Sequence, residues 1–169
     1  MNRIDTEQDI ERVVNTYSDT LQKLAFTYLH SIADAQDVTQ ETFIRLLTQR
    51  PAFREREHEK AWLIRVTVNL CKDRLRRAER ANLSIEEALT VAAPESDRDL
   101  LLEIMSLPEK YRTVLHLHYY EGYTVREIAA ILKRPTGTVA TYLNRGRQQL
   151  KQRLKGDQYE QLSQIHEKS

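Results

Sequence analysis

The chain has 169 residues, of which 40% are hydrophobic and 30% are charged, and its formal net charge is +1. This length permits one medium domain or two small ones, and the near-neutral charge does not by itself indicate a nucleic-acid partner. The single cysteine, Cys71, excludes an intramolecular disulfide framework and fits a reducing cytoplasm, where we expect a buried thiol. No apolar run approaches the roughly 20 residues that span a bilayer, so we expect no direct membrane insertion.

Charge is distributed unevenly along the chain. The N-terminal third is rich in acidic residues, whereas the stretch from Ile128 to Gly156 contains none. The basic residues of that stretch are Lys133, Arg134, Arg145, Arg147, Lys151, Arg153 and Lys155. A change of this kind favours two small domains with different partners, one of them a nucleic acid.

Helical periodicity dominates the sequence. Apolar residues recur at spacings of three and four between Ile10 and Tyr28, which predicts an amphipathic helix at 6–30. Further helices are predicted at 34–49, 58–81, 96–105, 108–121, 124–132 and 137–155. Helix starts are indicated where Ser or Thr precedes an acidic residue by three positions, at Ser31, Ser84, Ser96, Ser106 and Thr124. The predicted fold class is therefore all-α.

The second predicted helix carries an acidic and amide-rich stripe. It lies within the run Asp34-Ala-Gln-Asp-Val-Thr-Gln-Glu-Thr-Phe43, on the side of the helix predicted to face solvent. DNA would repel such a stripe, whereas a basic groove on a protein would attract it. The stripe therefore predicts a protein-binding surface.

The third predicted helix follows Pro51 and a charged loop. Its predicted apolar face consists of Leu63, Val66, Leu70 and Leu75, with Trp62 also in the core. Its polar face carries Arg65, Asn69, Lys72, Asp73 and Arg76. Asn is a mediocre helix former, so its place among basic residues favours a binding role over a merely solvated surface.

A low-hydrophobicity segment separates the two halves of the chain. Residues 82–97 hold few large apolar side chains, an Ala-Ala-Pro break and an acidic bias. We interpret this segment as a flexible linker that contains at most one weak helix. The predicted domains are therefore 1–81 and 98–169.

The C-terminal half has the spacing of a helix-turn-helix. A short capped helix at 124–132, a tight connection at 133–136 and a basic helix from Gly137 fit that motif. Small and apolar residues that could fill the angle between the helices are Ile128, Ala129, Leu132, Val139 and Leu143. The side chains expected to be exposed on the second helix are Thr136, Thr138, Ala140, Thr141, Asn144, Arg145 and Arg147. The alternative is a helical hairpin whose basic face merely meets solvent.

Three motifs in order resemble those of the extracytoplasmic-function sigma factors, the small two-domain members of the sigma-70 family of bacterial RNA polymerase. The run from Asp34 to Phe43 resembles the core-binding motif of region 2. Ala61-Trp-Leu through Asn69, with 73–77, resembles the promoter-melting helix, and Leu107-Pro-Glu onward resembles region 4. The resemblance covers nearly the whole chain and implies a region 2 helical bundle and a region 4 helix-turn-helix.

The resemblance also implies partners and contact residues. Clamp helices of the polymerase's largest subunit would bind Asp37, Gln40, Glu41 and Arg45, and the polymerase flap would bind region 4. At the −10 element, Phe53 would stack on a flipped base and Asn69 would bind its edge, with phosphate contacts from Arg65, Lys72, Arg74, Arg76 and Arg77. At the −35 element the contacts would be Thr136, Thr138, Thr141, Asn144, Arg145 and Arg147.

Two positions in region 4 depart from the common family pattern. Many relatives carry a basic residue where Ala140 stands and an arginine where Tyr142 stands. Direct readout of the −35 element is therefore expected to rely on Thr138, Thr141 and Asn144 together with Arg145.

The implied function is that of a sigma factor. Such a protein gives core RNA polymerase its promoter specificity and starts strand opening, under the control of an anti-sigma factor. The alternative is a dimeric helix-turn-helix regulator that acts without core polymerase. An enzyme has little support, because the sequence has no phosphate-cradling Gly-rich loop and no paired nucleophile and base. His116 and His118 are two residues apart, which is a poor ligand spacing, so we expect no metal and no cofactor.

Overall fold

A computed structural model describes residues 3–80 and 103–154, and every regular element within those ranges is helical. The all-α prediction is therefore confirmed. The chain divides into two compact units, Met1–Leu89 and Thr90–Ser169. The predicted linker at 82–97 lies outside the described residues, as do the helix starts predicted at Ser84 and Ser96.

Within residues 3–80 the first unit forms a bundle of three helices, α1 (Glu7–Leu29), α2 (Ile32–Gln49) and α3 (Arg56–Arg80). Each of the three packs against the other two. The start of α1 is closed by a reciprocal capping box between Thr6 and Asp9, and the Ser31 hydroxyl accepts the Asp34 N–H at the start of α2. The cap predicted at Ser31 is therefore present.

The buried face of α3 is rotated from the predicted one. Leu63 is fully buried, but Val66, Leu70 and Leu75 are only half-buried. The interior positions are instead Leu63, Ile64, Thr67, Val68 and Cys71. The prediction was wrong because it left out the apolar Ile64 and Val68 and did not allow for a hydroxyl side chain, that of Thr67, inside the core. Thr67 is accommodated because its hydroxyl lies 3.0 Å from that of Thr42 on α2.

A buried ion pair joins α1 to the first turns of α3. The Arg12 guanidinium donates to both carboxylate oxygens of Glu59 at 3.0 Å, and Glu59 is only 2% exposed. Burial, followed by the negative charge of Glu59, raises the pKa of Tyr17 beside this pair. The charged stretch predicted as a loop therefore begins the helix at Arg56 and sends one of its carboxylates inward.

Between residues 103 and 154, the described part of the second unit contains three α-helices after a helical stretch at 103–105. The first, α4 (Glu109–Leu115), continues into a π-helical turn, His116–Tyr120. The start predicted at Ser106 is wrong, because the Ser106 hydroxyl donates to the Glu103 carbonyl at 2.7 Å and α4 begins after Pro108. Proline suits that place because it has no N–H to leave unsatisfied.

The remaining helices, α5 (Val125–Leu132) and α6 (Thr136–Arg153), form the helix-turn-helix. A capping box between Thr124 and Glu127 starts α5, as the sequence predicts. Most of the residues predicted to fill the interhelical angle are buried: Ile128, Ala129, Val139 and Leu143. Leu132 is half-buried.

Candidate functional site

The outer face of α2 combines acidic and apolar side chains. The Asp37 side chain is 64% exposed, Gln40 is exposed, and Glu41 forms a 3.4 Å ion pair with Arg45. Large apolar residues that the sequence analysis did not single out continue this face: Ile44 is 52% exposed and Leu47 is 40% exposed. Ile44 follows Glu41 by three residues and Leu47 follows Gln40 by seven. This helical spacing was the sequence signal that could have placed both on the same side of α2 as the acidic stripe. We call Asp37, Gln40, Glu41, Ile44 and Leu47 the outer α2 face.

A groove between α2 and α3 brings two predicted sites together. One Arg74 nitrogen lies 2.9 Å from Asp34 Oδ1 and 3.6 Å from Asp37 Oδ2. The groove has a volume of about 490 Å³ and is also lined by Glu41 and Arg77. In this conformation Arg74, predicted to contact phosphate, is instead a counter-ion for α2.

The −10 residues Phe53 and Asn69 have different environments. The Phe53 side chain is 5% exposed and packs edge-to-face on Trp62, with ring centroids 6.0 Å apart. Its ring is therefore not open to a stacking base in this conformation. Asn69 is exposed on α3. The resemblance implied a ring available for stacking at Phe53, but Trp62 provides an apolar partner for that ring.

The other predicted −10 residues lie along α3. Arg65 and Lys72 are half-buried, whereas Arg76 and Arg77 are exposed. Arg76 pairs with Asp73 at 3.0 Å, three residues earlier on the same helix. Because this ion pair is exposed, Arg76 loses little free energy when it leaves Asp73 for another anion.

Most of the predicted −35 residues are exposed to solvent on α6. Thr136, Thr141, Asn144 and Arg145 are exposed on α6, and Thr138 is half-buried. Thr141 donates its hydroxyl proton to the Gly137 carbonyl at 2.9 Å, so its oxygen can act as an acceptor.

Arg147 is held against the π-helical turn that follows α4. Its Nε–H donates to the Tyr119 hydroxyl at 2.6 Å, and its Nη2 lies 3.4 Å from His118 Nε2. Arg147 was predicted to contact DNA, but these partners engage part of its guanidinium in this conformation. Tyr119 therefore supplies a polar contact to α6 through its hydroxyl group.

Neither a metal cluster nor a membrane-spanning helix is found in the described ranges. Residues 3–80 and 103–154 hold no group of three or more His, Cys, Asp or Glu side chains that could bind a metal ion. Within the same ranges, each helix is too short or too polar to cross a bilayer.

Family models match both halves of the chain. The model of Sigma-70 region 2 matches residues 13–81, and the model of Sigma-70, region 4 matches residues 97–150. The region 2 match covers α2 and α3 completely and most of α1, and the region 4 match includes the helix-turn-helix. The matches are therefore in the order predicted from the sequence.

Two relatives and one solved structure are similar to the chain over most of its length. ECF RNA polymerase sigma factor SigW of Bacillus subtilis is 31% identical in an alignment 163 residues long that covers 85% of this chain and 87% of SigW. ECF RNA polymerase sigma factor SigE of Mycolicibacterium smegmatis is 32% identical in an alignment 157 residues long that covers 85% of this chain and 61% of SigE. The sigma factor RpoE in complex with the anti-sigma factor NepR, from Bartonella quintana, shares the fold with a TM-score of 0.69 at 19% identity, covering 86% of this chain and 96% of that one. The chain therefore belongs to the extracytoplasmic-function sigma factors of the sigma-70 family, which are transcription initiation factors and not enzymes.

Proposed function

We propose that this sigma factor binds core RNA polymerase through the outer α2 face and directs it to promoters. The observation that carries the proposal is the composition of that face. Opposite its buried side, α2 exposes Ile44 and Leu47 beside Asp37, Gln40 and Glu41. Apolar side chains bordered by polar ones are the usual anatomy of a protein interface.

The two kinds of side chain have separate roles in this proposal. Ile44 and Leu47 provide apolar area that leaves water when polymerase binds. Asp37 and Glu41 meet basic side chains of the clamp helices, which steers association and fixes orientation. Gln40 adds hydrogen bonds, and Arg45 keeps the Glu41 carboxylate in place.

The exposed side of α3 is the proposed −10 surface. Asn69 binds the edge of a flipped base, while Arg65, Lys72, Arg76 and Arg77 contact phosphates. Base stacking on Phe53 requires its ring to leave Trp62, so edge recognition by Asn69 is the larger part of our proposal. Arg74 joins the phosphate contacts only if it leaves Asp34.

The N-terminal half of α6 is the proposed −35 surface. Thr138, Thr141, Asn144 and Arg145 face the major groove, where hydroxyl, amide and guanidinium groups read base edges. The backbone N–H groups near Thr136 bind a phosphate at the helix start. Arg147 reaches a phosphate with the part of its guanidinium that Tyr119 does not engage.

An anti-sigma factor is the proposed inhibitor. RpoE of Bartonella quintana has the same fold and is found in complex with the anti-sigma factor NepR. In our proposal an inhibitor of this kind covers the outer α2 face, because that face holds the exposed apolar residues Ile44 and Leu47. The sigma factor works in the cytoplasm, where bacterial DNA is transcribed.

The decisive experiment reverses charge on the outer α2 face. Asp37→Arg combined with Glu41→Arg should weaken binding to core polymerase by at least about tenfold, because like charges then meet across the interface. The matched control is Glu11→Arg with Asp19→Arg, an equal charge change at exposed positions of α1. Affinity for core polymerase and transcription in vitro are measured.

Two results would contradict the proposal. If the α2 double variant binds core polymerase and transcribes like the wild type, the polymerase surface lies elsewhere. If the chain alone binds palindromic duplex DNA as a dimer, the helix-turn-helix regulator is the better description.

A further inference from the structure

A lysine and two tyrosines form a cluster on the flank of α6. The Tyr142 ring packs edge-to-face on Tyr111 of α4, with centroids 5.9 Å apart and planes at 75°. The Lys110 ammonium lies 5.1 Å from the centroid of Tyr111 and 5.5 Å from that of Tyr142. One cation is therefore held over a pair of aromatic rings, one on α4 and the other on α6.

Close packing of α4 on α6 puts the cluster there. Gly146 is buried one turn after Tyr142, and a Cβ at that position would lie 2.9 Å from Leu115 Cδ1 and 3.3 Å from Tyr111 Cβ. The absence of a side chain at Gly146 lets α4 approach closely enough for the two tyrosine rings to meet. The position of Lys110 therefore follows from the helix packing.

The cluster borders the proposed −35 surface. Tyr142 follows Thr138 by four residues and precedes Arg145 by three, so all three lie on one side of α6. Lys110 is exposed, and it forms no ion pair with any carboxylate in the described part of the chain. Because tyrosine rings are neutral, they orient the ammonium without cancelling its charge.

We propose that Lys110 contacts a DNA phosphate beside the −35 element, with Tyr111 and Tyr142 as its positioning residues. The inference rests on the proposed −35 surface of α6. In this proposal Lys110, on α4, adds a positive charge beside the neutral ring of Tyr142 on α6. Phosphate contacts of this kind fix the position of a protein on duplex DNA and do not discriminate between bases.

The test measures the salt dependence of holoenzyme binding to a duplex that contains the −35 element. For Lys110→Gln, the slope of log affinity against log salt should become shallower by about 0.9, the value for one phosphate contact on B-DNA. Affinity should fall equally on matched and mismatched −35 sequences. Lys110→Arg should restore the slope, and Lys23→Gln on α1, which also removes one exposed lysine, should leave it unchanged.

Further variants separate positioning from packing. Tyr142→Leu should reduce the slope as Lys110→Gln does, whereas Tyr142→Phe, which keeps the ring, should not. Thermal melting of each variant reports stability separately. If Lys110→Gln lowers the melting temperature but leaves the slope unchanged, the lysine is a packing residue and the proposal is wrong.

A shorter duplex and one positive control complete the design. On a shorter duplex whose upstream end lies downstream of the −35 element, so that the element is absent, the effect of Lys110→Gln should disappear. If the effect persists, Lys110 contacts DNA elsewhere. Arg145→Gln should weaken binding to the longer duplex. If Arg145→Gln has an effect and Lys110→Gln has none, only the Lys110 inference fails. If neither has an effect, the proposed −35 surface itself is wrong.

Discussion

At the scale of single residues, Glu59 shows how a charge can become part of a core. Its carboxylate is 2% exposed and is satisfied by both guanidinium nitrogens of Arg12 at 3.0 Å. A buried carboxylate without such a partner would be strongly unfavourable. The pair therefore fixes where α1 meets the start of α3, just after the segment that holds Phe53.

Truncation of this carboxylate should be costly. We expect Glu59→Ala to lower the free energy of unfolding by about 1–3 kcal/mol, because two charged hydrogen bonds are lost and Arg12 must turn to water. Urea unfolding measures the loss. Glu57→Ala, an exposed position two residues earlier, is the control and should change stability by less than about 0.5 kcal/mol. Equal effects would show that the ion pair does not stabilise the bundle.

The capping carboxylate of α1 should make stability depend on pH. Hydrogen bonds from the Thr6 hydroxyl and backbone N–H lower the pKa of Asp9. Because the folded pKa lies below the unfolded one, the contribution is present above the unfolded pKa and is lost as pH falls through the folded pKa. Wild type should exceed Asp9→Asn in stability near neutral pH, and the difference should shrink below about pH 4. A difference that stays constant with pH would contradict the role of the ionised carboxylate.

At the scale of helices, contact between α4 and α6 depends on one glycine. Gly146→Ala adds a methyl group 2.9 Å from buried Leu115 Cδ1, and the cost of overpacking, about 1–3 kcal/mol, should exceed the gain of about 1 kcal/mol in helix propensity. The melting temperature should therefore fall. Gly137→Ala is the matched control, because nothing lies within 4 Å of its added methyl group. If both variants are equally stable, close packing at Gly146 is not limiting.

Helices and their starts could be predicted from the sequence because they depend on neighbours in the chain. The capped starts at Ser31 and Thr124 involve residues three positions apart, and the observed helices begin there. The environments of Phe53, Arg74 and Arg147 could not be predicted in this way. Arg74 meets Asp34 across 40 residues of sequence, and Arg147 meets Tyr119 across 28. Such pairings are set by how helices pack, which periodicity does not specify.

The candidate surfaces also contain some features that could be predicted from the sequence and others that depend on helix packing. The acidic stripe of α2 could be placed by counting residues, and its exposed members agree with that count. Ile44 and Leu47 lie at the same spacing, but apolar residues are ordinarily assigned to a core. Their exposure became evident only once the opposite side of α2 was seen to fill the bundle.

At the scale of the whole molecule, the two compact units have separate cores. Cores of this kind should unfold in separate transitions. Glu59→Ala should shift only the transition of Met1–Leu89, and Gly146→Ala only that of Thr90–Ser169. Differential scanning calorimetry of the full chain distinguishes the two. A single transition that moves as a whole in both variants would show that the units unfold cooperatively.

The only cysteine of the sequence can serve as a probe for opening of the first unit. Cys71 is fully buried between the helices of the first unit, so a thiol reagent reaches it only when that unit opens. The labelling rate of the unmodified protein is thus a measure of how often the bundle opens. A partner that binds only the closed bundle must slow this rate as its occupancy rises, whereas a ligand confined to the second unit leaves it unchanged when the two units unfold independently. Kinetics at one sulfur atom can therefore tell which half of the chain a partner has bound.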